Sequence, residues 1–146
     1  MLHFELDNRL WEGVSRIKSC GNVECRIYVM QEGELPPTER QLDALESFSQ
    51  LDEAAVASDL AKHALRYCQQ IEDVVDLKEE GIEIDKRMIS NHFHVTTILI
   101  PELGDCESAF VFLSADCEWE TEHGMQVLFE NGKIIWCGDH STLPFS

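Results

Sequence analysis

Eight consecutive residues, Cys117-Glu118-Trp119-Glu120-Thr121-Glu122-His123-Gly124, hold a thiol, an indole, three carboxylates, an imidazole and a glycine. With Asp116 ahead of them, acids fall on every second residue: Asp116, Glu118, Glu120 and Glu122. Side chains alternate along an extended chain, so these four carboxylates would share one side. Like charges that close stay solvated, gather a hard cation such as Ca²⁺ or Mg²⁺, or meet a basic partner. No Asp-x-Asp-x-Asp-Gly loop with a distant Glu is present, so the spacing does not single out calcium. The other side of the segment carries Cys117, Trp119, Thr121 and His123. Trp119 reads as an anchor packing the segment onto a sheet, or as a hot spot for a partner. His123 before Gly124 either fixes a tight turn by donating to a carboxylate such as Glu122 or to a carbonyl, or serves as a base or metal ligand. Gly124 suggests a positive φ or a close backbone approach.

A second constellation is His92 and His94. Two residues apart on a strand, they share a face as two zinc ligands would, with His123, Cys137 or His140 as the third. The structural alternative is a wet strand face alternating with Phe93 and Val95. Nucleophilic chemistry is poorly supported. There is no Gly-x-Ser-x-Gly elbow, and the adjacent Asp139-His140-Ser141 cannot fold onto itself as a triad. A Cys117–His123 pair would sit among carboxylates that raise the thiol pKa, opposite to what an activated thiolate needs. Glycine-rich phosphate loops and Cys-x-x-Cys pairs are absent.

The elements that must position these residues follow from periodicity. Trp11–Ile17 and Val23–Met30 read as strands around Ser19-Cys20-Gly21-Asn22, the second alternating Val23, Cys25, Ile27 and Val29 with more polar residues. Gly33 and Pro36-Pro37 end this extended region. Thr38 and Gln41 form a capping box, with Leu42, Leu45 and Phe48 as the apolar stripe of a first helix. A longer helix starts after Asp52, with Leu51 and Val56 as a hydrophobic staple and Val56, Leu60, Ala64, Tyr67 and Ile71 on its packing face. From Glu72 to Asn91 the pattern is mixed, and Asp85–Ser90 reads as a short helix or a turn. His92–Ile100 and Ala109–Ala115 are extended, the latter apolar on both faces and so expected to be central and covered on both sides. Met125–Phe129 and Lys133–Cys137 flank Asn131-Gly132, a strong hairpin signal. That turn predicts Phe129 opposite Ile134, Val127 opposite Trp136, and Glu130 facing Lys133. The expectation is a single α+β domain over residues 1–146: an antiparallel sheet, made of an N-terminal strand pair and a C-terminal β-meander, packed against a pair of helices.

The chain has 11 basic and 28 acidic residues, a net charge of −17. That argues against nucleic acid, whose phosphates require Lys and Arg, and against an anionic membrane surface. It favours solubility, or a basic protein partner steered electrostatically. A length of 146 residues allows about 68–70% of the unfolded surface to be buried, so no disulfide or metal is needed for folding. No secretion signal or bilayer-length apolar run is visible. The six cysteines therefore read as reduced and packed, and the compartment as the cytoplasm.

The stretch from Phe112 through Cys117-x-Trp119-Glu120-x-Glu122-His123-Gly124 to Asn131-Gly132-Lys133 and Gly138 resembles a family of small bacterial proteins classed as a domain of unknown function. Trp11-Glu12-Gly13 in an early strand and Tyr67 near the end of the helical pair extend the likeness. It has Glu120 where Asp is expected and Met125 where a smaller aliphatic is expected. The resemblance transfers no activity; it implies a loose link to immunity or accessory proteins of toxin systems. The sequence thus favours a non-enzymatic interaction module without cofactor, using Asp116, Glu118, Trp119, Glu120, Glu122 and His123 toward a basic protein. The alternative is a divalent-metal domain or metal-dependent hydrolase using His92, His94, His123 and Glu122.

Overall fold

The computed structural model describes residues 5–7, 10–21, 23–31 and 35–139. Gly33, Asn22, His140 and Ser141, used in the expectations above, lie outside the described residues. The elements are β1 (Glu5–Asp7), β2 (Leu10–Ile17), β3 (Val23–Met30), α1 (Glu39–Ser49), α2 (Glu53–Glu72), β4 (Phe93–Ile100), β5 (Phe110–Cys117), β6 (Glu120–Glu130) and β7 (Lys133–Gly138). Short 3-10 helices lie at Lys18–Cys20 and Lys86–His92. The fold is α+β, and among the described residues no helix is long and apolar enough to cross a membrane.

The strands form one sheet in chain order, β1 to β7. Every neighbouring pair is antiparallel except β3 and β4, which are parallel, with Arg26–Val29 paired to Thr97–Ile100. Parallel neighbours need a long crossover, and α1 with α2 supplies it. The N-terminal strands and the C-terminal meander are therefore not separate sheets but halves joined at this parallel seam.

Local chemistry explains both helices. Thr38 accepts from the Gln41 amide while the Gln41 side chain accepts from the Thr38 amide, closing the capping box. Asp52 caps α2 by accepting from the Ala55 amide at 3.0 Å. Val56, Leu60, Ala64 and Tyr67 are buried on α2, as their spacing requires. On α1 the buried set is Gln41, Ala44, Leu45 and Phe48, whereas Leu42, expected inside, is 41% exposed. The reason is Gln41. Its Nε2 donates to the carbonyls of Met30 and Pro101 at 2.7 and 3.0 Å, bridging the ends of the two parallel strands. A helix turned to make those bonds faces Leu42 outward.

The core lies between the helices and one sheet face, where Cys25, Ile27, Ile98, Leu113 and Val127 meet Leu45, Phe48, Leu60 and Ala64. Phe48 packs edge-on to Phe129 with ring centroids 5.0 Å apart. β5 is central, between β4 and β6, but only its Val111, Leu113, Ala115 and Cys117 face is buried; Phe110, Phe112 and Ser114 on the other face are half-buried. The expectation of full cover on both sides thus holds on one face and in part on the other.

At the Asn131-Gly132 turn both central residues have positive φ, 49° and 85°, as the two-residue primed turn demands. Phe129 pairs with Ile134 and Glu130 with Lys133, as expected. Beyond them a bulge at Ile135 shifts the register, so Val127 pairs with Cys137 and Leu128 with Trp136. One extra residue sends every later side chain to the other face. Trp136 therefore leaves the core face on which the simple hairpin register placed it.

Candidate functional site

β5 ends at Cys117, Glu118 and Trp119 make the turn, and β6 begins at Glu120, paired with Cys117. Ala115 then pairs with Met125, which leaves Asp116 alone opposite the four residues Thr121 to Gly124. This outsized bulge is held by three groups. Glu120 Oε1 accepts from the amides of Glu122 and His123, both at 3.1 Å. Gly124 has φ +66°, and a Cβ there would lie 2.6 Å from the Ala115 carbonyl oxygen, so only glycine fits. The Tyr67 hydroxyl on α2 donates to the Gly124 carbonyl at 3.0 Å.

Beneath the turn Trp119 is 2% exposed, edge-on to Tyr67 and to Phe93 at 6.0 and 6.3 Å. Its indole N–H finds no acceptor among the described residues. Trp119 is therefore an internal anchor and offers no surface to a partner, which corrects its expected place in a contact patch. The turn also overturns the expectation of four carboxylates on one side: alternation stops at Glu118-Trp119, because the chain reverses there.

Each of three carboxylates instead meets an imidazole. His92 Nδ1 lies 2.8 Å from Glu118 Oε2, and His92 Nε2 accepts from the Asp85 amide at 3.1 Å. Since Nε2 is an acceptor, Nδ1 carries the proton and donates to Glu118. The Glu118 amide donates to the His92 carbonyl at 3.0 Å, closing the contact from both ends. His94 Nε2 lies 3.4 Å from Asp116 with both side chains exposed, and His123 Nδ1 lies 3.5 Å from Glu120. Exposed pairs of this kind contribute little to stability.

The metal candidates separate. His92 closes a 3-10 helix instead of lying on the strand, its side chain is 16% exposed, and both its ring nitrogens are occupied. It does not share a ligand position with the exposed His94. Among the described residues, the side chains whose ligand atoms gather within 4.8 Å of one another are Glu120, Glu122 and His123. Of the expected ligands His92, His94, His123 and Glu122, His123 and Glu122 meet there, while His92, His94 and the further candidate Cys137 are not in the group.

Thiol chemistry is disfavoured. Burial, reinforced by the nearby Glu120 charge, pushes Cys117 up to about 12, and its thiol donates to the Glu120 carbonyl. Burial likewise pushes Cys20 and Cys137 up to about 12 and Cys68 up to about 11. All six cysteines are free. Burial also pushes the Tyr67 phenol far above its ordinary range, which keeps it a donor to Gly124.

The residues that sequence reasoning did not place at the site are Tyr67, Phe93 and Asp85. Tyr67 was legible as a core position on α2, but nothing local announces a bond to a carbonyl 57 positions away. A cleft of about 1170 Å³ is also new: the end of α2 and residues 73–87 line it, with His92 on its wall. Its charges are of both signs, and Lys86 pairs with Glu72 at 2.8 Å.

This sheet, its crossover helices and its glycine-closed turn fill nearly the whole span that a known family's sequence profile matches, residues 2–144. The chain belongs to the family DUF6985, a domain of unknown function. No curated protein and no solved structure matches this DUF6985 chain.

Proposed function

We propose that this DUF6985 chain is a non-enzymatic binding module of the immunity type, working in the bacterial cytoplasm and docking a basic protein on its acidic turn. One observation carries the reading: Asp116 and Glu118 stand exposed beside the exposed Glu122, on a turn that Trp119, Tyr67 and Gly124 lock from beneath. A charged rim on a rigid support loses little entropy on binding, and a net charge of −17 steers a basic partner toward it. Burial that holds the thiols of Cys68 and Cys117 protonated argues against either as a nucleophile.

The test is titration calorimetry with a defined lysine-rich peptide at low and high salt. Asp116→Asn with Glu118→Gln and Glu122→Gln is expected to weaken binding about tenfold or more, salt abolishing most of the remainder. Neutralising Glu39, Asp43 and Glu46 on α1 removes the same charge elsewhere and is expected to matter little. Equal losses from both triple variants, or binding indifferent to salt, would reduce the rim to general polyelectrolyte attraction and sink the proposal.

A divalent cation is the second reading, favoured by the convergence of Glu120, Glu122 and His123. It is weakened by the commitment of Glu120 Oε1 to two backbone amides.

A further inference from the structure

The segment between α2 and β4 lines the cleft of about 1170 Å³ and is anchored at several points. Leu77 and Ile89, each 5% exposed, are buried in the core. The amides of Glu80 and Ile82 donate to the Leu77 carbonyl at 3.1 and 2.9 Å, closing the loop on itself. Lys86 reaches back to Glu72 at 2.8 Å. Between these anchors residues 83–85 form an irregular stretch of the cleft wall. Its Asp85 amide is tied to His92 Nε2 at 3.1 Å.

The two nitrogens of His92 respond in opposite ways to a proton. Nδ1–H donates to Glu118 Oε2 at 2.8 Å, and a positive charge on the ring strengthens that bond. Nε2 can accept from Asp85 only while it carries no hydrogen. Once protonated, it turns an N–H toward another N–H, and the bond is replaced by repulsion. The ring therefore stays with the turn at the tip of the sheet and lets the cleft wall go.

The charges around the ring are numerous. Glu118 faces it from the turn. Along the cleft that His92 shares stand Glu72 and Asp73 at the end of α2, and Asp76, Lys78 and Glu83 in the loop. Asp85, Lys86 and Arg87 stand there at the start of the 3-10 helix. On the neighbouring strands His94 pairs with Asp116, and Cys117 lies opposite Phe93. Between about pH 7.5 and 5.5, imidazole is the side chain that ordinarily changes its charge. Of the other described histidines, His94 and His123 stand beside Asp116 and Glu120, and His63 lies on α2.

We propose that His92 is a pH-sensitive latch on the cleft: neutral, it holds residues 83–85 to the tip of the sheet, and protonated, it keeps Glu118 and releases Asp85. Acid thereby loosens one wall of the cleft while the anchors at Leu77 and Ile89 stay in place. Glu118 also belongs to the proposed docking rim, but the latch works within the chain alone and stands or falls separately from that function.

Nuclear magnetic resonance on the full chain from about pH 7.5 to 5.5 tests the proposal. Imidazole nitrogen shifts report the ring of His92, and the Asp85 amide reports the latch. The expected ring is the Nδ1–H tautomer at the start. As it protonates, the protection factor of the Asp85 amide should fall about fivefold or more, with the same midpoint. The amides of Glu80 and Ile82, bonded inside the loop, should keep their protection. His92→Gln supplies an acceptor that does not titrate and is expected to abolish the pH dependence at Asp85. A ring that stays neutral throughout overturns the proposal, as does an Asp85 amide indifferent to its protonation. So does a fall that survives in folded His92→Gln, or one that Glu80 and Ile82 share in equal measure, which would mean that the whole segment unfolds.

Discussion

The Tyr67 hydroxyl donates to the Gly124 carbonyl at 3.0 Å, so the packing face of α2 holds the bulge in β6 that no ladder bond could hold. Glycine is required on one side of this contact and a phenol on the other. Tyr67→Phe removes the donor and leaves a buried carbonyl unpaired, a cost of about 1–3 kcal/mol. Denaturant unfolding is the measurement, and a loss below about 0.5 kcal/mol would mean that water takes the hydroxyl's place.

Gly124→Ala is expected to cost more than Tyr67→Phe. It combines a positive φ with a Cβ that would sit 2.6 Å from a backbone oxygen, and the oxygen belongs to a central strand that cannot yield. A loss of at least about 2 kcal/mol follows from strain of this kind. A near-neutral result in the same unfolding assay would show that the bulge relaxes.

His92 fastens the irregular segment after α2 to the tip of the sheet through Asp85 on one nitrogen and Glu118 on the other. His92→Ala should free that segment. Hydrogen exchange is expected to show the Asp85 amide losing protection, with global stability falling by about 1–3 kcal/mol. Unchanged exchange at Asp85 would mean that the segment is held by its other contacts, among them the Lys86–Glu72 pair and the buried Leu77 and Ile89.

Alkaline stability should be limited by buried thiols. Cys117 is held up to about 12 and Cys68 up to about 11 by burial, against an ordinary value of 9.0. The folded state therefore keeps these protons at pH values where the unfolded chain has released them. Their contribution is fully present below about pH 9 and is lost as pH rises from there toward 11 and 12, at about 1.4 kcal/mol per pH unit for each thiol that ionises on unfolding. Melting temperature measured from pH 8 to 11 should fall steeply in the wild type and less in Cys117→Ala, relative to each protein's value at pH 8. Parallel slopes would assign the alkaline limb to other groups.

Protein purified without a histidine tag is expected to contain no stoichiometric metal and to melt identically with and without EDTA. One metal per chain, with a melt lowered by EDTA, would make Glu120, Glu122 and His123 a bound site and move the metal reading ahead of the binding module.

How much of this was legible in the sequence depended on how local the cause was. The strands β2 and β3, the capping box of Thr38 and Gln41, the Asp52 cap and the Asn131-Gly132 turn are decided by residues within a few positions, and their patterns announce them. Leu42 was misplaced because a buried amide at Gln41 reaches two strand ends far along the chain, and no helical periodicity contains that. Trp136 was misplaced because one bulged residue at Ile135 inverts the faces after it. The cluster at Cys117–Gly124 was found by composition, yet its geometry was not, since the chain reverses at Glu118-Trp119 where alternation had assumed an extended run.

The parallel pairing of β3 with β4 also sets an order of events. Hairpins such as β2–β3 and β6–β7 close through a few residues, whereas Arg26 must find Thr97 after both crossover helices are in place. Closing so long a loop is entropically costly and is rewarded only late. Pulse-labelled refolding should therefore protect the amides of β6 and β7 before those along the seam, making the join between the two halves of the sheet the slow step in the birth of this molecule.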